Sequence, residues 1–163
     1  LQLFDPDSPM AQEFDLSSSL YVGLLIVGIG GQYAGGKISD RLPPTTALAV
    51  VFGGLVAVAT GFIPAAQFGV PTLLVASALL GFLLFALQPL YQATIAEYSP
   101  PDDRGLSYGY TYLTSFGVGA AGAAISGYLL SVVAAEGTFI ALAVFPAVGA
   151  IVSLALGRRG GSD

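Results

Sequence analysis

Charged residues are so unevenly spaced along this chain that they outline its elements. Charge-free runs cover residues 16–36, 42–96, 105–135 and 137–157. A membrane-spanning helix needs about 20 mostly apolar residues, so three of the runs each suit one span. The second run is too long for one. It is broken at Pro64-Ala65-Ala66-Gln67-Phe68-Gly69-Val70-Pro71, where two prolines and a glycine mark a turn. The pattern predicts five transmembrane helices near residues 18–36, 45–63, 72–97, 106–133 and 138–156. An acidic segment at 1–17 precedes this 18–157 domain, and a short basic tail at 158–163 follows it. The expected fold is all-α, a multi-pass membrane helix bundle.

Polar residues inside the runs divide the helices into two kinds. The second and fifth are almost wholly apolar, which predicts that they face lipid, with Val51 and Val148 on their lipid sides. The other three carry stripes. On the first, Gly28, Gly31, Gln32 and Gly35 recur at i, i+3, i+4 and i+7. The third places Ser77, Gly81, Gln88 and Tyr91 on one face, with Gln92 beside it. On the fourth, Tyr108, Tyr112, Ser115, Gly119, Gly122 and Ser126 step by fours and threes. An unpaired amide or hydroxyl in hydrocarbon is costly, so these stripes avoid lipid. Two readings stay open for them. Small residues and hydroxyls serve close helix packing, whereas Gln32, Gln88, Tyr91, Gln92, Tyr112 and Ser115 also suit the lining of a water-filled substrate path. Pro89 leaves the Phe85 carbonyl without its usual helical donor, and Pro146 does the same on the plain fifth helix.

Composition narrows the chemistry. Of 163 residues, 55% are hydrophobic and 9% charged, too few charges to cover a soluble fold of this size. Cys and His are both absent, which removes thiol nucleophiles, imidazole bases, disulfides and the usual zinc ligands. No acid lies near a helix centre either. These absences predict no catalytic site, no cofactor, no metal and no enzyme activity. A net charge of −5 gives no electrostatic basis for nucleic-acid binding.

The few charges are informative about orientation. Lys37 and Arg41 fall between the first and second helices, Arg104 between the third and fourth, and Arg158 and Arg159 after the fifth. All five bases are therefore expected on one side of the membrane. The other side holds Asp5, Asp7, Glu13, Asp15 and Glu136. The positive-inside rule makes the basic side cytoplasmic, with the N-terminus outside and the C-terminus inside the cell membrane. The start at Leu1 without a signal-peptide pattern is read as part of a longer polypeptide.

Two loops on the basic side carry acid and base together. The first reads Gly36-Lys37-Ile38-Ser39-Asp40-Arg41-Leu42-Pro43-Pro44, the second Glu97-Tyr98-Ser99-Pro100-Pro101-Asp102-Asp103-Arg104-Gly105, with Gly109 four residues on. As solvated surface charges, such pairs contribute about 0–1 kcal/mol each. Their spacing resembles the major facilitator superfamily of secondary transporters. Gly36-x-x-x-Asp40-Arg41 is similar to the front half of that family's loop signature, whose basic end is replaced here by Pro43-Pro44. Glu97-x-x-Pro100-x-x-x-Arg104-Gly105-x-x-x-Gly109 is similar to its acidic and Arg-Gly pattern between the fourth and fifth helices of a six-helix half.

The resemblance runs from Leu20 onward. It implies a partial six-helix half lacking its first helix, with the basic tail favouring the C-terminal half, helices eight to twelve of twelve; the matching N-terminal segment is the alternative. In that family the third and sixth helices of each half are peripheral, and they correspond to the two plain helices here. The resemblance implies alternating access about a site near the midplane. Its partners would be the lipid bilayer, a small-molecule substrate and the remaining N-terminal half of the transporter. It further implies a cytoplasmic gate of Gly36, Asp40, Arg41, Glu97 and Arg104, in which Asp40 caps a helix N-terminus of the other half. The family's antiporter glycine-proline motif is not recognisable, since the fourth helix has no proline. The competing reading is a non-transporting membrane assembly protein or an inactive transporter remnant, with the stripes used only for packing. A transporter fold with five-helix halves would keep the function and change the architecture.

Overall fold

The computed structural model describes residues 9–133 and 135–160. Among them are five long helices: α1 (Pro9–Ser39), α2 (Pro44–Gln67), α3 (Val70–Tyr98), α4 (Arg104–Val132) and α5 (Ala135–Gly160). A single 3-10 turn, Pro101–Asp103, precedes α4. No strand occurs among the described residues. Four of the helices are long and apolar enough to cross a membrane, α2 to α5.

The helices differ in extent from the sequence expectation. α1 reaches back to Pro9 and α5 runs on to Gly160, so parts of the expected flanking segments are helical. Asp5 and Asp7 lie outside the described residues, as do the side chains of Glu13, Asp15, Glu136 and Arg159. Pro64 does not break α2, which passes through it to Gln67. The loss of one donor by proline is tolerated in an apolar helix where neighbours cover the freed carbonyl. The turn is made by Phe68 and Gly69 alone. The Phe68 and Gly69 amides donate to the Ala65 and Ala66 carbonyls at 3.2 and 3.3 Å. Gly69 has φ +104°, a conformation that glycine adopts without a Cβ penalty. Pro71 then sits in the first turn of α3, where its missing N–H costs nothing.

Packing orders the helices α1–α3–α2–α5, with α4 beside the row. α1 and α3 run parallel and approach closely: Gly28 lies on the Phe85 ring, and Gly31 and Gly35 lie on the Phe82 and Ala86 carbonyls. α2 runs antiparallel to both α3 and α5. Ala47, Leu48 and Val51 of α2 join Ala86 and Leu90 of α3 in the buried core, with Leu83, Leu87 and Tyr91 packed against it. Along α5, Phe139 stacks on Phe62 with centroids 4.4 Å apart, Gly149 lies under the Phe52 ring, and Gly157 lies against Thr45. These directions bring Lys37, Arg41, Arg104 and Arg158 to one end of the bundle.

Two expectations about lipid contact are corrected by this packing. Val51 is not on a lipid-facing side; it is 6% exposed and part of the core. Nor is α2 peripheral within this chain, since it holds the core between α3 and α5. Hydrocarbon and protein interior are equally apolar, so overall apolarity alone does not tell one neighbour from the other. Val148, at 53% exposed, does face outward. α4 is the helix that stands apart. None of its residues is buried.

Candidate functional site: a polar strip on the third helix

The site starts from helical spacing on α3. Gln88, Tyr91 and Gln92 stand at i, i+3 and i+4, so their side chains share one face of the helix. α1 adds Gln32 to the upper end of that face. The Gln32 side-chain amide donates to the Gln88 side-chain carbonyl at 2.9 Å, a bond made possible by the close glycine contacts just beside it. At the lower end α4 approaches α3: the Tyr108 hydroxyl donates to the Gln92 backbone carbonyl at 3.1 Å. Tyr91 lies next to the Gln92 and Tyr112 side chains, and Tyr112 stacks on Phe116 with centroids 6.4 Å apart. Tyr91 is half-buried against the core, whereas Gln32, Gln88, Gln92 and Tyr112 are exposed.

The structure thus brings five of the six expected path residues to one strip. Ser115 is placed elsewhere. With Thr111, Thr114, Gly119 and Gly122 it lines a cleft of about 940 Å³ between α3, α4 and α5, whose other walls are Leu84, Leu87, Leu142 and Phe145. The two open readings of the stripes also separate by helix. Gly28, Gly31, Gly35 and Gly81 are packing positions, the last against Leu24. On α4, Gly119 and Gly122 have nothing opposite them within 4 Å.

The expected gate residues occupy the turns at the basic end. The Gly36 carbonyl accepts from the Ser39 hydroxyl at 2.7 Å and from the Asp40 amide at 3.3 Å, which closes α1 and projects Asp40 and Arg41 into the turn. Glu97 lies in the last turn of α3 and Arg104 opens α4 behind Asp102 and Asp103. Those two acids favour the positive end of α4, which Arg104 opposes. Asp40, Arg41, Glu97 and Arg104 are all exposed. They form no ion pair with one another among the described residues. Lys37 behaves differently, reaching back so that its ammonium donates to the Tyr33 hydroxyl at 3.2 Å and lies 5.3 Å from that ring's centroid. Sequence reasoning missed this contact, although Tyr33 and Lys37 at i and i+4 with a base near a helix end signal it.

A family model, that of the Major Facilitator Superfamily, matches residues 10–162. The chain belongs to this superfamily. No curated protein and no solved structure matches it. Major facilitator proteins are transporters, so membership makes transport the general function of the segment and accounts for a bundle of apolar helices in a membrane. The facilitator match covers both acid–base loops and every residue of the polar strip. Among the described residues no group of three His, Cys, Asp or Glu could hold a metal ion.

Proposed function

We propose that the chain is part of a small-molecule transporter working by alternating access, corresponding to five helices of one six-helix half. The observation that carries the reading is the Gln32–Gln88 hydrogen bond at the head of an exposed polar strip. Two amides can satisfy each other and still leave one N–H and one lone pair or more on each side chain. In hydrocarbon those remaining groups, with the Gln92 amide and the Tyr112 hydroxyl, would be costly. A face of this kind calls for water, substrate or protein against it, not lipid. Gln32, Gln88, Tyr91, Gln92 and Tyr112 form one wall of the path. Gly36, Asp40, Arg41, Glu97 and Arg104 form the cytoplasmic gate with the other half, because unpaired charges in tight turns are free to meet a partner there. The positive-inside rule sets the orientation, with the basic end in the cytoplasm and the N-terminus outside.

This segment contains no cysteine, so single cysteines introduced into it, in the protein with whatever further chain it natively carries and that chain's own cysteines replaced, test the reading. Cysteines at Gln88, Gln92 and Tyr112 should react with a water-soluble maleimide applied from the cytoplasm, and a cysteine at Val148 should not. Inert polar positions in every transport state would leave the strip as helix packing only.

A further inference from the structure

A second polar site lies at the basic end, away from the strip, where the start of α2 meets the end of α5. Pro43, Thr45, Thr46, Ser153, Gly157 and Arg158 line a pocket of about 210 Å³ there. Thr45 is 3% exposed; its hydroxyl makes no hydrogen bond among the described residues and is not itself sealed from space, so it opens into the pocket. A hydroxyl on a buried residue, open to a small cavity and not yet donating, is ready to bond an acceptor that enters it. Gly157 keeps the space: a Cβ there would come within 2.8 Å of the Thr45 Oγ1. The Ser153 hydroxyl donates to the Gly149 carbonyl at 2.8 Å, so its proton is already used. Thr45, Thr46 and the Arg158 guanidinium remain as donors.

The backbone adds to the same charge preference. α2 begins behind Pro43 with no side-chain cap and no acid in its first turn, so the positive end of its dipole is uncompensated. An unspent hydroxyl on a buried residue, a guanidinium and a bare helix N-terminus around one small cavity describe an oxyanion site. The position at the bundle end, level with the basic loops, puts it where phosphate headgroups lie. We propose that this pocket binds a phosphate group, supplied by the headgroup of an anionic bilayer lipid or by free phosphate. The site is independent of the transport path and does not rest on its assignment.

The test uses the protein purified in an uncharged maltoside detergent, with thermal unfolding as the readout. One arm adds dioctanoyl phosphatidylglycerol, a second inorganic phosphate, and a third dioctanoylglycerol, which lacks the phosphate. Stabilisation in the first arm alone assigns a lipid headgroup, and stabilisation in the second assigns the free anion. Arg158→Gln and Gly157→Ala should each raise the half-effective concentration about tenfold or more, the scale of one charge-assisted hydrogen bond. Thr45→Ser keeps the donor and should retain most of the response, and Lys37→Gln, which alters a base outside the pocket, should leave it unchanged. Wild-type behaviour of Arg158→Gln overturns the proposal even if Gly157→Ala fails to fold. Equal stabilisation by dioctanoylglycerol, or none in either phosphate arm, overturns it as well.

Discussion

α1 and α4 carry the same kind of glycine stripe and use it in opposite ways. On α1, Gly31 and Gly35 are buried with the Phe82 and Ala86 carbonyls lying directly against them. On α4, Gly109, Gly117, Gly119, Gly122 and Gly127 face open space. Spacing of small residues therefore says where a helix can be approached, not whether anything approaches. The α1 stripe is answered by α3, whose Phe82, Phe85 and Ala86 present a matching surface. α4 reaches α3 toward its own start, through Tyr108 and through Tyr112 beside Tyr91. The outcome is a rigid parallel pair on one side of the bundle and a loosely held helix on the other.

The largest effect that separates these regions should come from core deletion. Leu90 is fully buried where α3 meets α2, so Leu90→Ala should destabilise the protein by about 2–5 kcal/mol. Leu113 on α4 is 71% exposed, and Leu113→Ala should change thermal unfolding little. Equal losses from the two would show that α4 is as firmly packed as α3.

A smaller contrast comes from the glycines themselves. Gly31→Ala drives a methyl group into the Phe82 carbonyl and should cost about 1–3 kcal/mol, as overpacking does. Gly119→Ala meets no atom and adds helix propensity, worth up to about 1 kcal/mol. Unfolding of the two variants in detergent sharpens the comparison: the first should melt below the parent and the second should not.

The smallest effect concerns the amide pair that bridges α1 and α3. A double-mutant cycle of Gln32→Leu and Gln88→Leu should return a coupling near 0.6 kcal/mol, the average for interhelical hydrogen bonds in a membrane. A coupling of zero would leave the glycine contacts alone holding α1 to α3.

Much of the fold was legible in the residues, and the reason is physical. Charge is excluded from hydrocarbon, so the gaps between charges locate the helices, and the charged turns at 37–44 and 97–104 follow directly. The polar strip was legible for a related reason, since Gln88, Tyr91 and Gln92 share a helical face by spacing alone. Lateral neighbours were harder. α2 reads as plain, yet Ala47, Val51, Leu55 and Ala59 form its buried edge, at a spacing of four with small residues at both ends. That pattern signals a helix interface, but uniform apolarity hides it. Ser115 shares the α4 stripe with Tyr112 by spacing, but it lines the cleft, a place set by how α4 is rotated against α3 and α5, which no single-helix pattern records. Thr45 and Ser153 give no sign of a site by sequence, because a lone hydroxyl near a helix end is common; only their place on one pocket between α2 and α5 makes them a pair.

The two-residue link at Phe68 and Gly69 also constrains how the protein is made. A chain extends by no more than about 3.6 Å per residue, so α2 and α3 cannot be parted by the width of another helix. They must leave the insertion machinery as a single hairpin, their shared core of Val51 and Leu90 closing as the second arm emerges. α1, synthesised first, finds its glycine-fitting surface only once α3 is in place. The order of assembly is therefore not the order of synthesis: the middle of this segment is built first, and its beginning docks afterwards.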